Sequence, residues 1–276
     1  MYNTNILTLT DSYKATHWKQ YPKGTTKVYS YLESRGGKFD NTMFYGLQYF
    51  IKHYLSGQVV TDQKIQQAKK FWNDHLGPGL FNEDGWRHIL DKHNGHLPIC
   101  IKAVPEGTVV KTGNVLVTVE NTDPEVPWLT NFLETIMMQV WYPITVATLS
   151  HEVKKIVREY FEKTSDLPEN IMDMAMEFVL NDFGFRGVSS VQSAGIGGSA
   201  HLVNFMGSDT TYASKRICEY YNTDRVFGLS VPATEHSIMT MRGEAGEVEM
   251  MRRTLEKYPT GIVACVSDSY HILRAC

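Results

Sequence analysis

Between residues 62 and 75 the apolar positions Ile65, Ala68, Phe71 and Trp72 recur at intervals of three and four, the spacing of one helix face. Thr61 offers an N-cap oxygen before this run, and Gly77-Pro78 closes it. Similar periodicity predicts helices over 45–55 and 86–93, the latter stopped at Asn94-Gly95. The histidines of this region (His53, His75, His88, His93) form no metal-like i, i+4 pattern with acids, so they are expected to be solvated. Thr10, Asp11 and Ser12 offer cap oxygens to a short helix over 13–21, which Pro22 and Gly24 stop. Strand-like runs occupy 27–34, 98–104 and 115–120, with turn signals at Glu106-Gly107 and Thr112-Gly113. Two long helices, 127–140 and 144–161, are expected to part at Pro143. Residues 1–165 therefore read as an α+β scaffold and dimerisation domain.

From Met174 the rhythm changes. Apolar runs at 176–181, 202–205, 226–231 and 261–266 predict strands, and helices are expected over 190–200, 210–222 and 244–258 between them. Alternating strand and helix implies parallel pairing with right-handed crossovers. Residues 166–276 are accordingly expected to form an α/β barrel-type domain, incomplete at about half of the usual eight strands. On that count Val263, Cys265 and Val266 form an open edge, and an incipient helix over 269–276 ends the sequence as a truncation would.

Each predicted strand is followed by polar residues of the kind that build sites at strand ends: Asp182 and Arg186, then Asp209, then Glu235 and His236, then Asp268. The first group opens the segment 181–209, which contains Gly184, Gly187, Gly195, Gly197, Gly198 and Gly207. Glycine at that density marks close approach of backbone to a ligand or to another backbone. Phe183 beside Arg186 suits a flat heteroaromatic ring held by stacking or cation–π contact. A plain βα turn with Arg186 paired to Asp182 explains the same residues equally well. Residues 195–200 fit G-x-G-x-x-A, yet polar, turn-like residues precede them where a dinucleotide fingerprint needs a strand. Those glycines are better explained by close helix packing. His236 falls one strand from Asp268, whose carboxylate can orient the imidazole and raise its basicity. A structural hydrogen bond is the alternative role for that histidine. No G-x-S-x-G elbow is present for serine-hydrolase chemistry.

Composition narrows the class without choosing within it. The chain is 42% hydrophobic and 21% charged with a net charge of −3, which gives no footprint for nucleic acid. Cys100, Cys218, Cys265 and Cys276 show no ligand-like spacing, so buried free thiols in a reducing, cytoplasmic compartment are expected. The N-terminus has no signal-peptide pattern, and no apolar run reaches membrane-spanning length.

TDSYKATHWKQYP near the start, then DFGFRGVSS, AGIGGSAHLVNF, GSDT, SVPATEHS and VSDSY, run collinearly in the order of one family. From about Asn5 onward the sequence resembles the nicotinamide phosphoribosyltransferase family. The resemblance implies a type II phosphoribosyltransferase fold and a homodimer with shared active sites. It also implies nicotinamide and phosphoribosyl pyrophosphate as substrates, Mg2+ with the pyrophosphate, and ATP as donor to a transient phosphohistidine. On this resemblance Phe183 stacks on nicotinamide with Tyr13 of the other subunit, and Asp11 lies near Tyr13. Arg186 serves the ring face and phosphate neighbourhood, Asp209 accepts from the carboxamide, and Ser230 and Val231 line the ring and ribose side. Arg35 joins the phosphate-binding residues, His236 is the phosphorylated histidine, and Asp268 orients it; no residue is assigned as a metal ligand. Leu229 departs from the family's tyrosine, and the family's arginine-proline-aspartate segment and second glycine-rich loop are not in the sequence. A non-catalytic nicotinamide-binding or dimerising homologue is the alternative, and Asp209 disfavours a nicotinate enzyme.

Overall fold

Gly46 begins the helical part of the chain at a position no other residue fits. Its φ is +98°, and a Cβ there would lie 2.5 Å from Pro143 Cγ. In the computed structural model, which describes residues 4–275, α1 (Leu47–Phe50) follows this glycine and passes into a π turn at Ile51–Leu55. α2 (Asp62–Leu76) starts where Thr61 Oγ1 accepts from the Lys64 N–H and ends at Gly77. Ile65, Ala68 and Trp72 are buried as predicted, but Phe71 is 48% exposed and stacks on His75. α3 (Glu83–His93) begins three residues before the apolar pattern, because Asn82 Oδ1 accepts from the Gly85 N–H and caps it. The predicted helix over 13–21 is a 3-10 helix, Ser12–Lys19, and Asp11 does not cap it.

Among the described residues five strands form two antiparallel sheets. β1 (Tyr29–Glu33), β5 (Val115–Asn121) and β3 (Ile99–Ala103) pair in that order, with Leu32 opposite Val117 and Ile101 opposite Val119. β2 (Asn41–Met43) and β4 (Val109–Lys111) form a separate pair. At three residues each, these two are too short for alternation to mark them in the sequence. The helix predicted over 127–140 is divided into α4 (Leu129–Phe132) and α5 (Glu134–Met138). Pro143 does not separate the next helix either; it sits in the first turn of α6 (Trp141–Thr164), where a missing N–H removes no intrahelical bond. The core of this region is aromatic, with Trp86 edge-on to Trp128 and Phe132 at 4.9 and 5.1 Å between ring centroids.

α7 (Glu169–Met176), α8 (Val191–His201) and α9 (Thr211–Tyr221) complete the first of two compact units, which part between Gly228 and Leu229. The helices fall where the pattern puts them; the strands do not. Met176, expected to open a strand, instead ends α7, burying the same face as Met172 one turn earlier. Leu202 extends α8 by donating to the Gly198 carbonyl, so 202–205 is a turn. Asp182 and Ser208, just beyond the two expected strands, nonetheless form a single parallel bridge. The second unit holds α10 (His236–Met239), α11 (Glu247–Lys257) and α12 (Ile272–Ala275). There 261–266, expected as a strand, forms none, and Ala233 and Ala264 form one parallel bridge; 226–228, at the end of the first unit, is no strand either. The pairing direction matches the prediction, while the ladders are one bridge long. Among the described residues the chain is mixed helix and sheet with no closed barrel. Cys276, the end of the helix expected over 269–276, lies outside the described residues. Cys100, Cys218 and Cys265 are free but half-exposed rather than buried. No described helix is long and apolar enough to cross a membrane.

Candidate functional site

The bridge between Asp182 and Ser208 organises the glycine-rich segment. Asp182 N–H donates to the Gly207 carbonyl at 3.1 Å, and Asp209 N–H donates back to the Asp182 carbonyl at 3.0 Å. These two bonds put Phe183 and Asp209 at one edge. The Asp182 carboxylate turns back on its own chain, accepting from Gly184 N–H at 2.8 Å and from Ser208 Oγ at 3.4 Å. Its partner is therefore the local backbone and not Arg186. That turn starts the short 3-10 helix Gly184–Gly187, which carries Arg186 on the surface. Phe183 is 68% exposed, which leaves its ring face accessible. Asn181, which the sequence did not single out, donates from Nδ2 to Asp209 Oδ2 at 2.5 Å and fixes that carboxylate's direction. The signal available for Asn181 was its position beside Asp182; the partner 28 residues on was not legible.

The glycines of α8 are there for packing, as the rejected fingerprint implied. A Cβ on Gly197 would lie 2.4 Å from Tyr142 Oη, and one on Gly198 would lie 2.6 Å from Ala213 Cβ and 2.9 Å from Asp182 Oδ2. Removing side chains here lets α8 press against α6 and α9 and leaves a cavity of about 410 Å³ beside Asp182, Phe183, Gly198, Tyr142 and His201. His201, buried, spans Ser150 Oγ at 3.1 Å and the Gly207 carbonyl at 3.2 Å. Burial lowers its pKa against the opposing pull of Asp182 and the backbone carbonyls, favouring the neutral ring.

The N-terminal candidates occupy another face of the same unit. Tyr13 is 58% exposed and meets His17 and Lys14. Asp11 Oδ2 accepts from Thr135 Oγ1 at 2.7 Å, which ties the 3-10 helix to α5. Arg35 lines a cavity of about 440 Å³ with Tyr29, Tyr31, Asn131, Glu134 and Met138. In the second unit His236 Nε2 donates to Asp268 Oδ1 at 2.9 Å, and both side chains are about two-thirds exposed. Ser230 and Val231 precede the extended stretch that bridges to Ala264.

The α-helical histidines are not simply solvated. His53 Nδ1 lies 2.6 Å from Tyr220 Oη, and His75 Nε2 lies 2.8 Å from Ser12 Oγ. His88 and His93 both donate to Asp123 Oδ2, at 2.8 and 2.6 Å. Their acid comes from the loop after β5, so no spacing within α3 could reveal it.

Residues 5–101 match the model for "Nicotinamide phosphoribosyltransferase, N-terminal domain", and residues 178–275 match the "Nicotinate phosphoribosyltransferase (NAPRTase) family". A nicotinamide phosphoribosyltransferase of Xanthomonas campestris pv. campestris (strain 8004) is 50% identical over 99% of this chain and 57% of its own length. One from Acinetobacter baylyi (strain ATCC 33305 / BD413 / ADP1) is 37% identical over 99% of this chain and 56% of its own. The chain thus spans somewhat over half the length of these curated relatives. The crystal structure of human nicotinic acid phosphoribosyltransferase superposes with a TM-score of 0.58 at 18% identity, covering 84% of this chain and 40% of the human one. That likeness is one of fold. Over nearly its whole length the chain is similar to curated nicotinamide phosphoribosyltransferases, and its two ends match family models of this kind.

Proposed function

We propose that the chain serves a nicotinamide phosphoribosyltransferase, making nicotinamide mononucleotide and pyrophosphate for NAD salvage. The observation that carries this reading is the Asp182–Ser208 bridge, which sets an exposed phenyl ring and an oriented carboxylate at one edge. In the reaction the pyridine nitrogen lone pair forms a bond to the ribose anomeric carbon. The bond from that carbon to the pyrophosphate oxygen breaks, and pyrophosphate leaves with the electron pair. Little covalent chemistry falls to the protein, so positioning and electrostatics dominate. Phe183 offers one face for the ring, Tyr13 of a second copy the other, with Asp11 holding the segment that carries Tyr13. Asp209 accepts from the carboxamide N–H, and Ser230 and Val231 line the ribose side. Arg35 and Arg186 bring positive charge for phosphate; magnesium is held chiefly by the phosphate oxygens of such substrates, with few protein ligands.

His236 fits the role of phosphoryl acceptor. With Nε2–H given to Asp268, Nδ1 carries the lone pair, and the exposed ring is open to ATP. The carboxylate partner stabilises the imidazolium-like charge that phosphorylation brings. Residues 166–275 are read as part of a type II barrel domain, supported by the fold likeness and the two parallel bridges. Exposed Tyr29, Tyr31 and Met138 support a homodimer, and the free thiols of Cys100, Cys218 and Cys265, the cysteines among the described residues, support a reducing cytoplasm. The test is product analysis with labelled nicotinamide, phosphoribosyl pyrophosphate and magnesium, using protein that carries this chain. Nicotinamide mononucleotide should form, and Phe183→Ala should raise the KM for nicotinamide by about tenfold, the upper range for one aromatic stack. Absence of the mononucleotide while both substrates bind would overturn the proposal.

A further inference from the structure

The His88, His93 and Asp123 cluster lies in the first unit, among residues that the proposed transfer does not use. His88 and His93 are five residues apart on α3, one at mid-helix and one at its last position, before Asn94 turns left-handed at φ +50°. Their ring centroids are 6.0 Å apart, and both Nε2 atoms point at a single carboxylate oxygen. The donor atoms of the three side chains all lie within 4.8 Å of one another. All three side chains are partly buried, with Asp123 only 13% exposed. The carboxylate is also held from behind, since Asp123 Oδ1 accepts from the Glu125 N–H at 2.8 Å. Burial raises the Asp123 pKa, but bonds from His93, Glu125 N–H and His88 outweigh it and hold the group at about 2.

We propose that His88, His93 and Asp123 form a binding site for a divalent transition-metal ion of the zinc class. Two imidazole nitrogens and one carboxylate oxygen are the donors such ions prefer, and three protein ligands leave a fourth tetrahedral position for water. The geometry needs little adjustment. Tetrahedral bonds of about 2.0–2.1 Å place neighbouring donors ~3.3 Å apart, against the present 2.6 and 2.8 Å. Outward shifts of about half an ångström replace two N–H donors by one cation, each neutral ring passing its proton from Nε2 to Nδ1 through solvent so that the Nε2 lone pair is free for the metal. Each imidazole then binds as its Nδ1–H tautomer. The Glu125 bond does for Asp123 what an outer-shell partner does at metal sites, fixing the carboxylate before the ion arrives. The ion would join α3 to the loop after β5, beside the Trp86–Trp128 pair at the centre of the aromatic core.

The test is zinc titration of chelator-treated, untagged protein against a chromophoric competitor, with cobalt substitution as a second readout. One zinc ion per chain should bind, and Co2+ should give the intense visible bands of a tetrahedral site without thiolate charge transfer. Thiolate bands would assign the ion to one of the cysteines and overturn the proposal. His88→Gln, His93→Gln and Asp123→Asn should each weaken binding by at least about tenfold, and His75→Gln should leave it unchanged. Zinc should raise the melting temperature of the wild type and lose that effect in the folded variants. Zinc affinity that is absent, or equal in wild type and all three variants, would overturn the proposal and leave a hydrogen-bonded clamp.

Discussion

Gly198→Ala sets a helix-propensity gain against a packing clash, and the structure decides the sign. Alanine in a helix interior is better than glycine by ~0.8–1.0 kcal/mol, so at an open position the change would stabilise. At Gly198 the new Cβ meets Ala213 Cβ at 2.6 Å and Asp182 Oδ2 at 2.9 Å. Carbon atoms prefer separations of about 3.5–4.0 Å, so α8 and α9 must part by roughly 1 Å. Ala213 Cβ is fixed to its backbone and cannot rotate away. Overpacking of this kind costs ~1–3 kcal/mol; after the propensity gain, a net destabilisation of about 1–2 kcal/mol is expected. The assay is urea unfolding of wild type, Gly198→Ala, Ala213→Gly and the double variant. Removing the opposing methyl should make the double variant more stable than the two single effects sum to, by about 1 kcal/mol or more. Because Asp182 is displaced as well, nicotinamide affinity should fall in Gly198→Ala and recover in part in the double variant. Stabilisation by Gly198→Ala, or zero coupling in the cycle, would refute the close-packing argument.

Three further outcomes follow from the same geometry. His201 has a folded-state pKa below its ordinary 6.5, so below about pH 6.5 the unfolded chain takes up a proton that the folded chain refuses. Stability should therefore fall as pH drops through that point, and His201→Gln should flatten the fall in melting temperature between pH 7 and 5, about the range over which such a ring titrates. Asp209→Ser should reduce the preference for nicotinamide over nicotinate by about tenfold or more, since a charged acceptor bond is worth ~1.5–3 kcal/mol; competition binding that shows unchanged selectivity would reject Asp209 as the discriminator. His236→Ala should abolish stimulation by ATP while leaving ATP-independent transfer, whereas equal loss of both rates would put His236 in the transfer step.

What the sequence determined was local. The α2 face, its Thr61 cap, the strands β1, β3 and β5, and α8 and α9 follow from periodicity and capping residues, whose physics acts over one or two turns. The glycines of 195–198 could be assigned to packing from the polar residues before them, and Gly198 against Ala213 bears this out. The collinear motifs carried the family resemblance. Tertiary structure decided what depends on partners far along the chain. Whether Met176 ends a helix or begins a strand turns on which neighbours bury it, since a short apolar run fits either. Strand length in the second half is set by the ladders available, and only single bridges form. Asn181 reaches Asp209 across 28 residues, and His88 and His93 share an acid 35 and 30 residues away. No pattern of spacing encodes such pairs, because a side chain's partner is fixed by how whole elements pack and not by the residues beside it.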